Sequence, residues 1–408
     1  MPIIALASLA GRHNSSDDLM LAGTARALRE IDPAASLVAI VPNPDAIAGL
    51  LDEDVRLVEA PMNPLQALTG STGSPLRERR TTRRAKGLLE DALAGRDGVP
   101  DGIRASVEAI RSSDLLLYAG GGYLNALRPI GVHNAELLAL AAARLEVPWA
   151  LFGHSVGPFR EAAPSVRVRR LLEGATAVGI RESRSAWEAR SIAPRMAPDV
   201  TGDPSLLVPR EALGEKHRDP EWIGVHARDF NFRIFPSIAG EPLLTLGDAI
   251  TMIAGRLKAE VVYIETAAKP AHDDRGINER LDAMVLPSVR RGPAVRYSPG
   301  GVRLPPVSVV VAASYHVCLR ALASGLPIIA VATSEYQRHK LRGLFELFER
   351  PEWVWTPEAG VPELADRAVS AAWDPQPDRL LEIAAELADR QRAWLERHVT
   401  VAAAARGN

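Results

Sequence analysis

The sequence has one cysteine in 408 residues, Cys318, which excludes an internal disulfide or a cysteine-based zinc cluster. Acidic and basic residues nearly cancel, 50 against 48, so no overall charge attracts nucleic acid. No uninterrupted apolar run reaches the roughly 18 residues that a membrane-spanning helix needs. The apolar start, residues 1–10, lacks the preceding positive charges of a signal peptide. A cytoplasmic protein is therefore expected, and any anion must be bound by a local site.

Short apolar runs alternate with longer segments of helical period, which is typical of parallel sheets with crossover helices. Strands are predicted at residues 3–9, 37–41, 114–119, 149–152, 177–180, 222–227, 260–265, 307–312 and 328–331. Helices are predicted at residues 18–30, 134–145, 166–173, 183–190, 246–257, 275–285, 315–324, 338–349, 362–371 and 377–397.

This pattern predicts an α/β protein with two doubly wound, Rossmann-like domains that face a central cleft. The first domain is expected at 1–204 and the second at 222–375, because the pattern weakens at a proline-containing, charged linker, 205–221. The terminal segment, 376–408, is interpreted as a helix that can cross back and brace the pair. Ligands of such folds bind at the carboxyl ends of the strands.

The sharpest local feature is an apolar strand that ends in three glycines, Gly120, Gly121 and Gly122, followed by Tyr123. Glycine permits positive φ and close approach of a ligand, and exposed amides can hold an anion. The spacing is neither that of a dinucleotide-binding loop nor that of a P-loop. A ligand cradle and a tight strand-to-helix turn both remain open.

A second strand ends in Gly-His-Ser-Val-Gly at 153–157, which places His154 and Ser155 toward the same crevice. The five residues match the nucleophile-elbow pattern of hydrolases. Pro158 follows at once, however, and stops the helix that would carry the oxyanion-binding amide. Hydrolase chemistry is therefore disfavoured.

In the second half, a buried strand leads into a helix with Ser314 as its expected N-cap and His316 in its first turn. A bound anion is favoured at this end of the helix dipole, and Arg320 lies one turn further on. His316 is a candidate acid or base; the alternative is a histidine that only hydrogen-bonds a neighbouring loop.

Other charged groups follow neighbouring strands. Tyr336 and Lys340 lie in a basic segment near the start of the next helix, and Arg228 ends the first strand of the second half. His272-Asp273-Asp274 is explained by helix capping at least as well as by a metal, so no metal site is predicted.

Together these segments resemble the polysaccharide pyruvyl transferase family over most of the chain. The matching pieces are the glycine run with Tyr123-Leu124, Gly153-His154-Ser155-Val156-Gly157-Pro158, Arg181-Glu182-Ser183-Arg184-Ser185, Gly202-Asp203-Pro204, Ser314-Tyr315-His316, Gly325-Leu326-Pro327, and Ser334-Glu335-Tyr336 with Lys340.

The resemblance implies a fold similar to GT-B glycosyltransferases and transfer of the enolpyruvyl unit of phosphoenolpyruvate to two sugar hydroxyls, without a cofactor. It implies His316 as the general acid. The expected donor-binding residues are Arg228, Ser314, Arg320, Tyr336 and Lys340. The expected acceptor side is formed by Gly120, Gly121, Gly122, Tyr123, His154 and Ser155.

The sequence departs from the family where Ser314 replaces the arginine that usually lies two residues before the histidine, so Arg320 or Arg338 would have to replace that cation.

Two alternative functions remain: a GT-B-type glycosyltransferase that uses a nucleotide sugar, and a non-catalytic relative. The saccharide acceptor is not identified, and its pocket is expected in loops near 63–102. A homodimer and a peripheral position at the inner face of the membrane are both compatible with the sequence.

Overall fold

The computed structural model describes residues 1–61, 75–127, 129–159, 162–209, 221–228, 242–269, 272–298, 303–373 and 377–406. Two parallel sheets of seven and five strands, with helices between the strands, form an α/β protein. The fold class predicted from the sequence is confirmed.

The first sheet contains β1 (Ile3–Ala7), β2 (Ser36–Val41), β3 (Arg56–Glu59), β4 (Leu115–Leu124), β5 (Trp149–Val156), β6 (Ala177–Ile180) and β7 (Asp199–Val200). The second sheet contains β8 (Trp222–His226), β9 (Glu260–Tyr263), β12 (Val309–Ala312), β13 (Ile328–Val331) and β14 (Val354–Trp355), and a small hairpin is made by β10 (Ala268–Lys269) and β11 (His272–Asp273).

The helices of the first half are α1 (Ser15–Ile31), α2 (Pro75–Leu93), α3 (Asp101–Arg111), α4 (Pro129–Arg144), α5 (Ala162–Glu173) and α6 (Ser183–Ile192). Those of the second half are α7 (Pro242–Leu257), α8 (Asp274–Asp282), α9 (Tyr315–Ala323), α10 (Glu335–Leu347), α11 (Gly360–Ala372) and α12 (Pro377–Arg406). None of the helices in the described ranges combines the length and apolar composition that crossing a bilayer requires.

The strand order of each sheet reverses once, and both reversals point to where a ligand binds. The first sheet runs β3-β2-β1-β4-β5-β6-β7, so its direction of winding changes between β1 and β4. The second runs β14-β13-β12-β8-β9 and changes between β8 and β12. Crevices form outside the carboxyl ends of strands at such points. The glycine run at the end of β4 and the segment 313–316 after β12 therefore lie at the two expected sites.

The helix after β12 is positioned by apolar burial and by its caps. Val309, Val310 and Val311 are inaccessible to solvent, as expected for a strand covered on both faces. α9 ends at Ala323, and the φ of +70° at Gly325 lets the amide of Leu326 donate to the carbonyl of Ala321 at 2.8 Å. The carboxyl end of α9 is thereby closed by a backbone hydrogen bond.

α12 contacts both halves of the molecule. Near its start, Arg379 pairs with Glu349 at 2.6 Å. Further along, the ring of Trp394 stacks on Phe152 of β5 at 5.3 Å, and its indole nitrogen donates to Asp199 at 3.0 Å. The helix therefore links the first sheet to the region after α10.

Several observed boundaries differ from the predicted ones for local reasons. β4 and β5 continue through the glycine-containing segments, because Gly121 still pairs with His154 across an irregular register. α10 begins at Glu335 instead of 338, since the hydroxyl of Ser334 accepts the amide of Gln337 at 3.3 Å.

The region 63–102, predicted as loops, contains α2 and the start of α3, and β3 was not predicted at all. β3 is an edge strand with no fully buried residue, so it lacks an apolar run. Most of the predicted linker falls on 210–220, which lies outside the described residues.

Candidate functional site

Polar side chains from both halves meet between the two sheets. In the first half they lie at the carboxyl ends of β4 and β5 and directly after β6 and β7; in the second they lie in the first turns of α9 and α10. Residues far apart in sequence converge here because the carboxyl ends of parallel strands share one edge of a sheet.

Gly122 lies in close contact with polar atoms of both halves. A β-carbon at this residue would lie 3.0 Å from Nη2 of Arg181, 3.2 Å from Nζ of Lys340 and 3.3 Å from the hydroxyl of Tyr336. Two of these atoms belong to cationic groups that can donate hydrogen bonds to a ligand, while the tyrosine hydroxyl donates to the Gly122 carbonyl. Arg181 and Lys340 are the kinds of group that bind a carboxylate or phosphate, and both reach the edge of Gly122. We call the space bounded by Arg181, Tyr336 and Lys340 over Gly122 the anion pocket.

The floor of the anion pocket is fixed by hydrogen bonds to the Gly122 carbonyl. Asn125 donates to it from Nδ2 at 2.6 Å and Tyr336 donates from its hydroxyl at 2.9 Å. Lys340, one helical turn after Tyr336, donates from Nζ to the tyrosine oxygen at 3.1 Å. Gly121 has φ of +139°, and a β-carbon there would lie 2.3 Å from the ring of Tyr123. The glycine run thus combines a constrained backbone at Gly121 with the close approach of two cationic groups at Gly122.

Arg181, the first residue after β6, is buried and charged. Its Nε contacts Glu182 and its Nη1 contacts Asp203, each at 3.0 Å, and its guanidinium carbon lies 3.8 Å from the ring centre of Tyr315. Nη2 has no hydrogen-bond partner within the described part of the chain. Since an unmade hydrogen bond at a buried donor costs about 1–3 kcal/mol, this nitrogen is suited to bind a ligand.

Glu182 holds the other side of the Arg181 guanidinium. Its carboxylate accepts hydrogen bonds from Ser155, from Ser185 at 2.6 Å and from the hydroxyl of Tyr315 at 3.4 Å. A fully buried carboxylate persists only with such partners. Glu182 therefore fixes both Arg181 and the start of α9.

His316 faces Asp203. Nε2 of His316 lies 3.2 Å from Oδ2 of Asp203, at an angle outside hydrogen-bond geometry. The other oxygen of Asp203 accepts hydrogen bonds from the amide and the hydroxyl of Ser205, at 3.0 and 2.6 Å. Burial opposes ionisation of Asp203, but His316 and Arg181 keep its pKa below the ordinary value. The carboxylate stays charged beside the imidazole.

Burial and the charge of Arg181 affect the pKa values of both His316 and Lys340. Burial lowers the pKa of His316, and Asp203 opposes the decrease. Burial and the positive charge of Arg181 lower the pKa of Lys340. With His316 neutral, the charges of Arg181 and Lys340 balance those of Glu182 and Asp203. An added anion would therefore favour a proton on His316.

His154 and Ser155 lie below the pocket and not on an open surface. Both are buried; Nε2 of His154 lies 3.0 Å from the hydroxyl of Tyr123, and Oγ of Ser155 lies 2.5 Å from Nε of Arg181. Ser155 is within β5, and among the described residues its hydroxyl hydrogen-bonds Glu182 and Arg181 and not a histidine, so it lacks the geometry of a hydrolase nucleophile. These residues support Gly121 and Arg181.

The buried His154 predicts a dependence of stability on pH. Burial, with the charge of Arg181, lowers the pKa of His154 to about 3. The unfolded chain, with a histidine pKa near 6.5, binds more protons than the folded chain below that pH, so stability falls as the pH decreases. We expect His154 alone to cost about 2 kcal/mol between pH 7.5 and pH 5. Urea unfolding at both pH values measures this cost.

The matched variants are His154→Gln, which removes the titration, and His13→Asn, which replaces an exposed histidine. His154→Gln should lose about 2 kcal/mol less than the unchanged protein on acidification, whatever its stability at pH 7.5. His13→Asn should behave as the unchanged protein. An identical pH dependence in all three proteins would contradict the neutral assignment of His154.

The structure places Arg228 in a separate cluster at the end of β8. Its Nε donates to Asp274 at 3.3 Å and its Nη2 donates to Thr266 at 2.6 Å. Asp274 also accepts the amides of Thr266 and Ala267, at 2.8 and 2.9 Å, and lies 3.3 Å from His226. These bonds orient Asp274 toward this cluster. Within the residues described, no group of three His, Cys, Asp or Glu side chains is arranged to hold a metal.

The remaining donor-side residues lie at different depths. Ser314 occupies the N-cap position of α9, but its side chain makes no capping hydrogen bond. Arg320 is buried below α9 and contacts Ser15 of α1 at 3.4 Å; burial lowers its pKa to about 10. Arg338 pairs with Glu358 on the outer side of α10. The cations that border the anion pocket in the described part of the chain are Arg181 and Lys340.

Sequence reasoning noted Arg181, Glu182 and Asp203 only as matching motifs and assigned them no role, and it missed the contact of Tyr315 with them. One signal was available: charged residues directly follow a buried apolar strand at Arg181 and Glu182. Such residues lie at the ligand-binding edge of a parallel sheet.

The sequence model of a family described as polysaccharide pyruvyl transferase matches residues 17–290. This range includes Gly122, Arg181 and Asp203, while His316 and Lys340 lie beyond it. No curated protein is significantly similar in sequence.

Solved structures of low sequence identity share the fold. A candidate UDP-N-acetylglucosamine 2-epimerase of Listeria monocytogenes is 13% identical, with 96% of this chain and 94% of that chain covered and a TM-score of 0.57. The UDP-GlcNAc 2-epimerase of Neisseria meningitidis, bound to UDP-GlcNAc, is 10% identical over 98% and 100% of the chains, with a TM-score of 0.53. The calicheamicin glycosyltransferase CalG4 is 12% identical over 98% of both chains, with a TM-score of 0.52. At these identities the similarity establishes the GT-B-like fold alone.

Proposed function

The chain belongs to the polysaccharide pyruvyl transferase family, and we propose that it transfers the enolpyruvyl group of phosphoenolpyruvate to two hydroxyls of a saccharide, which gives a pyruvate ketal and inorganic phosphate. The observation that best supports this function is the anion pocket beside His316. It combines donors for an anionic substrate with an imidazole that can protonate a carbon atom.

The donor carries a carboxylate and a phosphate, and the site offers partners for both. Nη2 of Arg181 and Nζ of Lys340 converge over Gly122 and would bind one anionic group. The start of α9 at Ser314, where amides and the helix dipole favour negative charge, would bind the other. Arg228 at the edge of the second sheet remains a proposed donor contact.

The reaction requires one acid and a sequence of bond changes that the site can support. His316 would protonate the methylene carbon of the donor, and the cation at the adjacent carbon would be attacked by a saccharide hydroxyl. The bond from that carbon to the phosphate oxygen then breaks, and the second hydroxyl closes the ketal. Of the two hydroxyl protons released, one restores His316 and the other leaves with phosphate.

The acceptor is proposed to be a saccharide or glycoconjugate intermediate in glycan biosynthesis, met in the cytoplasm or at the inner face of the membrane. The edge of the glycine run, with Tyr123 beneath it, is the proposed acceptor side, supported from below by His154 and Ser155.

Phosphoenolpyruvate is expected to raise the thermal midpoint of the protein, because a ligand that binds only the folded state stabilises it. At 100 times its Kd the expected rise is about 3 °C for a chain of this length. Lys340→Met and Gly122→Ala should both abolish the rise: the first removes a cation, and the second fills the pocket with a methyl group. The measurement is thermal unfolding with and without millimolar phosphoenolpyruvate.

Arg338→Met is the matched control, because Arg338 lies on the same helix but pairs with Glu358 outside the pocket. It should respond to phosphoenolpyruvate as the unchanged protein does. Inorganic phosphate and UDP-sugars complete the comparison. A rise with a UDP-sugar alone would favour glycosyl transfer, and a rise with phosphoenolpyruvate that survives in Gly122→Ala would contradict the proposed pocket.

A further inference from the structure

One carboxylate oxygen connects the anion pocket to His316. Oδ2 of Asp203 lies 3.0 Å from Nη1 of Arg181 and 3.2 Å from Nε2 of His316. The second oxygen of Asp203 is already held by the amide and hydroxyl of Ser205. The carboxylate is buried and cannot turn to solvent. Arg181 and His316 therefore face the same carboxylate oxygen.

We propose that Asp203 is a positioning residue that links occupancy of the anion pocket to the proton on His316. Arg181 attracts Oδ2, and Nε2 of His316 makes no well-directed hydrogen bond within the described residues. An anion on Nη2 of Arg181 offsets the guanidinium charge. The carboxylate is then available to accept a charge-assisted hydrogen bond from a protonated imidazole. The general acid is thus charged when the donor arrives.

The groups that face His316 are consistent with this coupling. Asp203 and, from the first turn of α1, Asp17 favour the protonated imidazole, whereas Arg181 and burial disfavour it. The ring of Tyr315 lies edge-on to the imidazole at 5.2 Å and adds no charge. Among these groups, Arg181 is the one that borders the anion pocket. Binding of an anion changes the balance through this residue.

The inference rests on the proposed function for the identity of the anion, and the experiment separates the two. The titration of the His316 ring is followed by NMR in protein with isotope-labelled histidine, and its signal is assigned with His316→Gln. Phosphoenolpyruvate, without any acceptor, is expected to raise the titration midpoint of His316 by about one pH unit. In the Asp203→Asn variant without ligand, the titration midpoint of His316 should be lower than in the unchanged protein. The rise of this midpoint on addition of phosphoenolpyruvate should be largely lost.

Asp199→Asn is the matched control, because Asp199 lies 3.8 Å from His398 in a similar pair away from the pocket. It should leave the titration of His316 and its response unchanged. The proposed function fails if phosphoenolpyruvate does not bind. The coupling fails if phosphoenolpyruvate binds to the unchanged protein without moving the His316 midpoint, a test that needs no variant to fold. The coupling fails also if the titration midpoint of His316 in Asp203→Asn equals that of the unchanged protein.

Discussion

Replacement of His316 by glutamine is expected to lower the rate of pyruvyl transfer by about 100- to 10,000-fold, the range associated with loss of a general acid. Protonation of the methylene carbon is the first chemical step of the proposed reaction, and His316 is the imidazole held beside the anion pocket through Asp203. The donor contacts of Arg181 and Lys340 are not changed by the substitution. Binding of phosphoenolpyruvate should therefore persist.

The rate is measured as release of inorganic phosphate from phosphoenolpyruvate with a saccharide acceptor that supports turnover of the unchanged protein. His398→Gln is the control: His398 also neighbours an aspartate, but on α12 and away from the pocket. It should retain full activity. If His316→Gln lost donor binding and kept its rate at saturating donor, His316 would be a binding group and not the acid.

Those parts of the fold that depend on apolar burial could be predicted from sequence. The observed bounds of β6 and β13 equal those predicted from their apolar runs. Parallel strands are covered on both faces, so nearly all of their residues are apolar and the run marks the strand. β3 could not be found in this way, since its residues are half-exposed at the sheet edge. α2 begins in a basic segment whose sequence shows little apolar period.

The site was predictable to the level of strand ends and helix starts. Gly122 was assigned to the acceptor side because of its glycine run, and Tyr336 and Lys340 were assigned to the donor side from the family resemblance; the structure brings these three together. Arg181 could not be ranked among the chain's many arginines from sequence. Its role depends on contacts with Asp203 and Tyr315, which lie 22 and 134 positions away. Such pairings are set by topology and leave no local pattern.

The hydrogen bonds of Arg181 indicate a residue held for binding. Its Nε and Nη1 are each satisfied by a buried carboxylate, while Nη2 has no partner in the described part of the chain and borders the pocket. A purely structural ion pair would gain stability by satisfying all three nitrogens. The carboxylates fix the orientation of the guanidinium, so the donor need not order it on binding.

Replacement of Arg181 by methionine is expected to destabilise the fold by about 3–5 kcal/mol, the usual cost of leaving a buried charge without its partner. Glu182 and Asp203 would both lose a cation at 3.0 Å in a site closed to solvent. Arg184→Met is the matched control, three residues further on. Its ion pair with Glu346 is partly exposed, so its loss should cost less than about 1 kcal/mol. Urea unfolding of both variants at neutral pH measures the difference.

The double variant Arg181→Met/Glu182→Gln identifies the cause of the loss. If uncompensated negative charge destabilises Arg181→Met, neutralising Glu182 should recover part of the free energy, since an amide can still accept from Ser155 and Ser185. If the loss came only from the packing of Arg181 on Tyr315, the second substitution would add to the first. An additive double variant, or an Arg181→Met no less stable than Arg184→Met, would contradict the charge cluster as the element that holds the site together.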